Sequence, residues 1–290
     1  WHAWPKPLRD RDAVALEQAA SELAASMVRT RTAQFFFDAQ WRALRQRAHE
    51  RGVLLFGDLP IFVAHDSADV WAHRGLFHLD DVGQMTQVAG VPPDYFSADG
   101  QLWNMPHYRW DVLAAQGYRW GIDRMRRQGA WVDLIRIGHF RGFESAWAVP
   151  AGAPNAIHGT WQPAAGAALF AAIESALGPQ ALVAEDLGLI TPEVDGLRLA
   201  LGMPGMRVLQ FAFDSDAPEP TTIRRSVGGG ARCRRRARTR FGTILAFHRC
   251  RCPMPSFAWH WRASRVSRSW DFRVCWGWGG KGAGTHPEPP

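Results

Sequence analysis

Chemistry-bearing side chains recur where apolar runs give out. The run VLLF (53–56) leads into Gly57-Asp58. VDLIRI (132–137) places Arg136 just before Gly138 and His139, and ALVA (181–184) ends on Glu185 and Asp186. A carboxyl group at such a strand end, partly withdrawn from water, has its pKa raised toward the range of a general acid. A neighbouring arginine keeps a carboxylate ionised. Proton transfer to a polar substrate is what such a set could do. On the residues alone, Glu185 reads first as a cap for the helix that follows, and Arg136 as a cap on a strand edge. Gly138 is the odd member, because it stands where an enzyme would want a reactive group.

The elements that must position these groups alternate. Residues 13–27 and 33–51 are rich in Ala, Leu, Glu, Gln and Arg, which predicts two helices, the second stopped by Gly52. The short apolar run at 53–56 predicts a buried strand. Residues 118–128 predict a helix stopped by Gly129, with VDLIRI as the next strand. Residues 167–177 predict a helix stopped by Gly178, with ALVAEDLG after it, and MRVLQFAF (206–213) predicts a further strand. Helix, glycine, apolar strand and polar strand end recur four times. That pattern predicts a parallel α/β sheet, open or closed, whose chemistry lies at the carboxyl ends of its strands.

Composition divides the chain. Of its 290 residues, 47% are hydrophobic, including 15 Trp and 16 Phe, so a large core is within reach. No run approaches the ~18 apolar residues of a membrane span. The start, WHAWPKPLRD, has no Met and no signal-peptide pattern, which reads as the middle of a longer chain. Residues 221–290 hold 15 basic and 2 acidic residues, a balance of +13; residues 1–220 hold 19 and 25, a balance of −6. The four cysteines (Cys233, Cys250, Cys252, Cys275) all fall in the basic segment. The body therefore has no disulfide framework, which suits a reducing cytoplasm.

Four ordered motifs go further: GDLPIFVAHDSADVWAH (57–73), GVPPDYFSADGQLW (90–103), RIGHFRGFE (136–144) and VAEDLGLITPEV (183–194). Over about residues 30–216 the chain resembles the amylomaltases, the 4-α-glucanotransferases of glycoside hydrolase family 77. The resemblance implies a (β/α)₈ TIM barrel, incomplete here, with the N-terminal part and last strands missing. It implies retaining transfer between α-1,4-glucans such as maltodextrins, with no metal and no organic cofactor. One carboxylate attacks the sugar and a second carboxyl protonates the leaving sugar, then deprotonates the acceptor. Glu185 matches the general acid/base, and Arg136 the arginine that orients the nucleophile and donor sugar. The family motif reads RIDHFRGF and its Asp is the nucleophile, so Gly138 marks a lost nucleophile, a loss worth about 10⁵–10⁶ in turnover. Tyr95 and Phe96 match an aromatic loop that stacks on glucose rings near the acceptor side. Gln101 and Trp103 match donor-cleft contacts, and His139 a hydrogen bond to a donor-sugar hydroxyl, with a structural histidine as the other reading. Asp58, with His65, Asp66 and Ser67, matches the cleft floor. Where the family continues Gly-Asn-Pro after GQLW, this chain reads Asn104-Met105-Pro106. A third carboxylate, expected in a Thr-His-Asp-Asn segment, has no counterpart in the chain.

The likeness stops near 213–220, so the body is set at 1–220 and a non-family tail at 221–290. RCRRRARTR (232–240) holds six Arg in nine residues and could neutralise phosphates, which gives a nucleic-acid binder as the least favoured alternative. His248, Cys250, Cys252 and His260 suggest a metal site, but C-x-C is a poor zinc spacing. Apart from Lys6 the body has no lysine, as expected of a GC-rich gene, and a shifted reading of such DNA yields the Arg, Gly, Cys, Trp, Pro and Ser of the tail. The tail is expected to be a frameshift product without regular structure. A non-catalytic glucan-binding remnant is the second reading of the body.

Overall fold

The computed structural model describes residues 1–94 and 97–208, together with the backbone of strands at 244–246, 260–266 and 269–275. The chain opens with α1 (Lys6–Arg9), α2 (Ala13–Glu22) and α3 (Ala24–Glu50), then β1 (Phe56–Pro60) and α4 (Ala68–Ala72). Next come β2 (Gln87–Val91), β3 (Gln101–Leu102), α5 (Trp110–Ala115), α6 (Arg119–Trp131) and β4 (Leu134–Gly138). They are followed by β5 (Ser145–Pro150), β6 (Thr160–Pro163), α7 (Gly166–Leu177), β7 (Leu182–Ala184), α8 (Pro192–Ala200) and β8 (Met206–Val208). Strands β9 (Ile244–Ala246), β10 (His260–Val266) and β11 (Ser269–Cys275) complete the described α-helices and strands, and two 3-10 turns lie at Arg74–Leu76 and Phe140–Phe143.

The helices start and stop for local reasons, some of which differ from expectation. The Asp12 carboxylate caps α2 by accepting from the Ala15 N–H at 3.0 Å. The break expected at 28–32 falls instead at Leu23, and α3 runs unbroken for 27 residues because it contains neither Gly nor Pro. Gly52 (φ 68°) stops it as expected, and Gly178 (φ 74°) stops α7. Helix α6 passes through Gly129 to Trp131. Its last carbonyls are taken by α3: Trp41 Nε1 donates to the Trp131 carbonyl at 2.8 Å, and Arg45 Nη1 to that of Ala130 at 2.9 Å. A glycine ends a helix only when nothing holds the next turn.

A parallel sheet of order β1-β4-β7 carries the strand ends. β1 begins at Phe56, where VLLF ends, so the paired segment is FGDLP. The register sets Asp58 beside Arg136 and Pro60 beside Gly138, and β4 meets β7 with Ile137 beside Ala184. Asp58 and Arg136 therefore arrive at one level of the sheet, and Glu185 follows just past the end of β7, two residues beyond Val183, the partner of Arg136. Gly57 allows the close approach of α6, since a Cβ there would come within 2.8 Å of Gln128 Nε2 and Val132 Cγ1. Asp133, just before β4, ties the sheet to α3 by accepting from Arg45, His49 and the Leu55 N–H.

A second, antiparallel sheet of order β3-β2-β5-β6 lies outside the repeating helix–strand pattern. The fourth unit also departs from that pattern. β8 pairs in parallel with β9 and not with β7, and residues 209–213 of the expected strand lie outside the described residues. Within the segment expected to lack regular structure, β9 and the antiparallel pair β10–β11 are described as strands; the rest of 221–290 lies outside the described residues. The main core gathers Ile61, Phe62, Phe77, Ile137, Phe140, Phe143, Phe170 and Ile173 between the parallel sheet and its flanking elements. Among the described residues no helix is long and apolar enough to cross a membrane.

Candidate active site

The side chains of Asp58, Arg136 and Glu185 form a row of contacts at the strand ends. Arg136 grips Asp58 with two parallel hydrogen bonds, Nε to Oδ1 and Nη2 to Oδ2, each 2.8 Å. Its third nitrogen, Nη1, lies 3.6 Å from Glu185 Oε1. The bidentate pair follows from the register, which makes the two residues neighbours on adjacent strands. The hydrogen bonding to Asp58 holds the guanidinium pKa above its ordinary value.

Glu185 does not cap the helix after it in sequence. Its Oε2 accepts the backbone N–H of His139 at 2.7 Å, where β4 passes into the 3-10 turn Phe140–Phe143. The backbone adds two bonds: Glu185 N to the Ile137 carbonyl and Phe140 N to the Glu185 carbonyl. With 26% of its side chain exposed, the carboxyl is fixed at one end and open to a ligand. Asp186 behaves differently. It is buried, accepts the Met206 N–H at 2.7 Å and faces Arg198 and Arg207 at 3.4 Å, so it pins the strand end and faces away from chemistry.

Gly138 sits at the end of β4, beside Pro60 of β1. A Cβ there would stand 3.1 Å from Pro60 Cα and 3.6 Å from Asp58 Oδ1. Any side chain at 138 would thus emerge against Asp58, and Pro60 would have to yield by a few tenths of an ångström. His139 follows in the left-handed region (φ 51°). Its ring meets Trp103 edge-on at 4.6 Å. Burial, with Arg141 nearby, pushes its pKa down to about 4, so it is neutral at pH 7. Its Nε2 has no hydrogen-bond partner among the described residues. The Trp103 indole N–H reaches Gln101 Oε1 at 3.2 Å, so the two side chains lie together. Asn104 takes a left-handed conformation (φ 53°), the backbone a glycine there would adopt most easily.

The remaining expected residues divide. Tyr95 and Phe96 lie outside the described residues. His65 Nε2 pairs with the Gly83 carbonyl at 2.7 Å, and Ser67 caps α4 through Val70 N, so these two serve the loop after β1. Two contributors escape sequence reading. Arg141, buried in the 3-10 turn, donates to the Leu189 carbonyl and lies over the Trp161 ring at 3.8 Å, anchoring the loop that follows Glu185. Gln128 donates to the Asp58 carbonyl at 3.1 Å. The one sequence signal for Arg141 is a cation between aromatic residues in HFRGF.

The 4-alpha-glucanotransferase family model matches residues 1–227. The chain belongs to this family. The match starts ahead of the motifs that carry the resemblance and ends just inside the basic segment. A 4-alpha-glucanotransferase of Thermus thermophilus is 50% identical over 220 residues, covering 76% of this chain and 44% of the relative. One from a Synechocystis strain is 48% identical over 222 residues, with 76% and 44% covered. Among solved structures, the amylomaltase from Streptococcus agalactiae in complex with acarbose superposes with a TM-score of 0.70 at 37% identity, covering 73% of this chain and 43% of that one. This family member therefore spans less than half the length of these relatives.

Proposed function

We propose that the chain carries the strand-end half of a 4-α-glucanotransferase site, binds α-1,4-glucans such as maltodextrins, and as written does not turn them over. The carrying observation is the row Asp58–Arg136–Glu185 with a glycine at 138 beside it. In this reading β1, β4 and β7 are strands of an incomplete (β/α)₈ barrel over 1–220. Glu185 is the general acid that protonates the leaving sugar's glycosidic oxygen and afterwards the base that deprotonates the incoming 4-hydroxyl. Arg136 orients the donor sugar while Asp58 clamps its guanidinium through two hydrogen bonds. Trp103 and Gln101 contact the donor, His139 bonds a donor hydroxyl, and Tyr95 and Phe96 stack on the acceptor side. Gly138 cannot attack the anomeric carbon, so no glycosyl-enzyme forms and binding without turnover results. No metal or cofactor enters the chemistry. The protein would act in the cytoplasm, and residues 221–290 would be a frameshifted extension outside the family fold.

The test is direct. Purified protein is incubated with maltotriose and assayed for glucose, while maltoheptaose and acarbose are titrated calorimetrically. The reading expects no glucose above a buffer blank and saturable binding that Arg136→Met weakens. Glucose release refutes the loss of turnover, and the absence of glucan binding refutes the site.

A further inference from the structure

A second recess has no part in this reading. It measures about 240 Å³, and its walls include Phe62, His78, His107, Trp110, Asp111 and Gln162. None of Asp58, Arg136, Gly138, His139 or Glu185 lines it. Its floor is closed: Phe62 and Tyr108 are buried, and His107 is only 5% exposed. Its rim is polar, with His78 and Asp111 exposed and Gln162 half-buried.

The lining narrows what can enter. The His107 ring hydrogen-bonds the Val88 backbone, and burial holds its pKa below the ordinary value, so it is a neutral imidazole at pH 7. Its Nε2 is buried and has no partner among the described residues. The Tyr108 hydroxyl is already engaged with the Ile61 carbonyl, so that residue offers its ring. Trp110 packs edge-on to Tyr108 at 5.5 Å and adds a second aromatic surface. Neither lysine nor arginine lines the recess, so nothing there neutralises a phosphate. Among the described residues no group of three His, Cys, Asp or Glu could hold a metal ion. Aromatic faces for C–H surfaces, with imidazole, amide and carboxylate groups for hydroxyls, are what a sugar needs. The volume lies below the roughly 300–1,000 Å³ of pockets for drug-sized ligands, which fits one ring and not a chain.

We propose that this recess binds a single hydroxylated sugar ring, apart from the strand-end row. Occupancy is read with D-glucose as the probe, by saturation-transfer NMR on the intact protein. Three variants accompany it: Gln162→Ala, Asp111→Ala and Glu185→Gln. The proposal expects saturable binding on the order of millimolar. Either rim variant should weaken it at least ~5-fold while keeping the parent's circular dichroism, and Glu185→Gln should leave it unchanged. Binding lost in Glu185→Gln but kept in the rim variants would place glucose in the strand-end row and overturn the proposal. So would no saturation up to ~100 mM glucose, or displacement of glucose by an equal concentration of inorganic phosphate. Since no step depends on Gly138 or Glu185, failure here leaves the glucan reading standing, and the converse holds.

Discussion

Replacing Asp133 by Ala should loosen the seam that sets the site's register. Its side chain is 11% exposed and serves three elements at once. Oδ2 accepts the Leu55 N–H at 2.8 Å, Oδ1 accepts Arg45 Nη2 at 2.6 Å, and His49 Nε2 meets Oδ2 at 2.8 Å. Losing a charged acceptor for a backbone N–H costs about 1.5–3 kcal/mol. The Arg45 and His49 contacts reach toward solvent and add only ~0.2–1 kcal/mol each. The total is about 2–5 kcal/mol, which at a urea m-value of about 2 kcal/mol/M lowers the unfolding midpoint by ~1–2.5 M. Tryptophan fluorescence in urea reads this directly, since Trp41 and Trp131 flank the contact. The difference from the parent should also depend on pH. Burial opposes the Asp133 charge, but the Leu55 N–H, His49 and Arg45 outweigh it and hold the carboxyl below its usual value. The group's stabilisation is therefore complete above the unfolded pKa of about 3.9 and is lost as pH falls through the folded value. A midpoint shift under ~0.3 M at pH 7, or a difference that grows on acidification, would refute this account.

Two further outcomes follow from the packing. Trp103→Ala opens the His139 ring to water, so its pKa should rise from about 4 toward ~6.5, read from the imidazole proton shift in NMR; no movement would show that Trp103 is not what buries it. Tyr108→Phe removes the hydroxyl bonded to the Ile61 carbonyl, but Arg124 Nη1 still donates to that oxygen at 3.0 Å, so the loss should stay at about 0.5–1.5 kcal/mol in urea unfolding.

What the sequence disclosed was local. The ends of VLLF, VDLIRI and ALVA marked Asp58, Arg136 and Glu185, because an apolar run that stops on a polar residue signals a buried strand reaching the surface. Gly52 and Gly178 likewise announced their helix ends through the left-handed conformation glycine accepts. The pairing of Asp58 with Arg136 was not legible, since it depends on a register between strands 78 residues apart. Gly129 misled, because the contacts that carry α6 past it come from Trp41 and Arg45 on a distant helix. The second sheet was hidden by its brevity: β3 is two residues long and β6 four, too short to show alternation. Glu185 misled as a helix cap because its partner, the His139 N–H, arrives from another strand through a left-handed turn.

The lateral match of Asp58 to Arg136 has a genetic consequence. Side chains along a strand point to alternate faces, so losing one codon between Leu55 and Asp58 would rotate the carboxylate to the opposite side of the sheet and strip the guanidinium of its clamp. Length variation in natural copies should therefore spare residues 55–58.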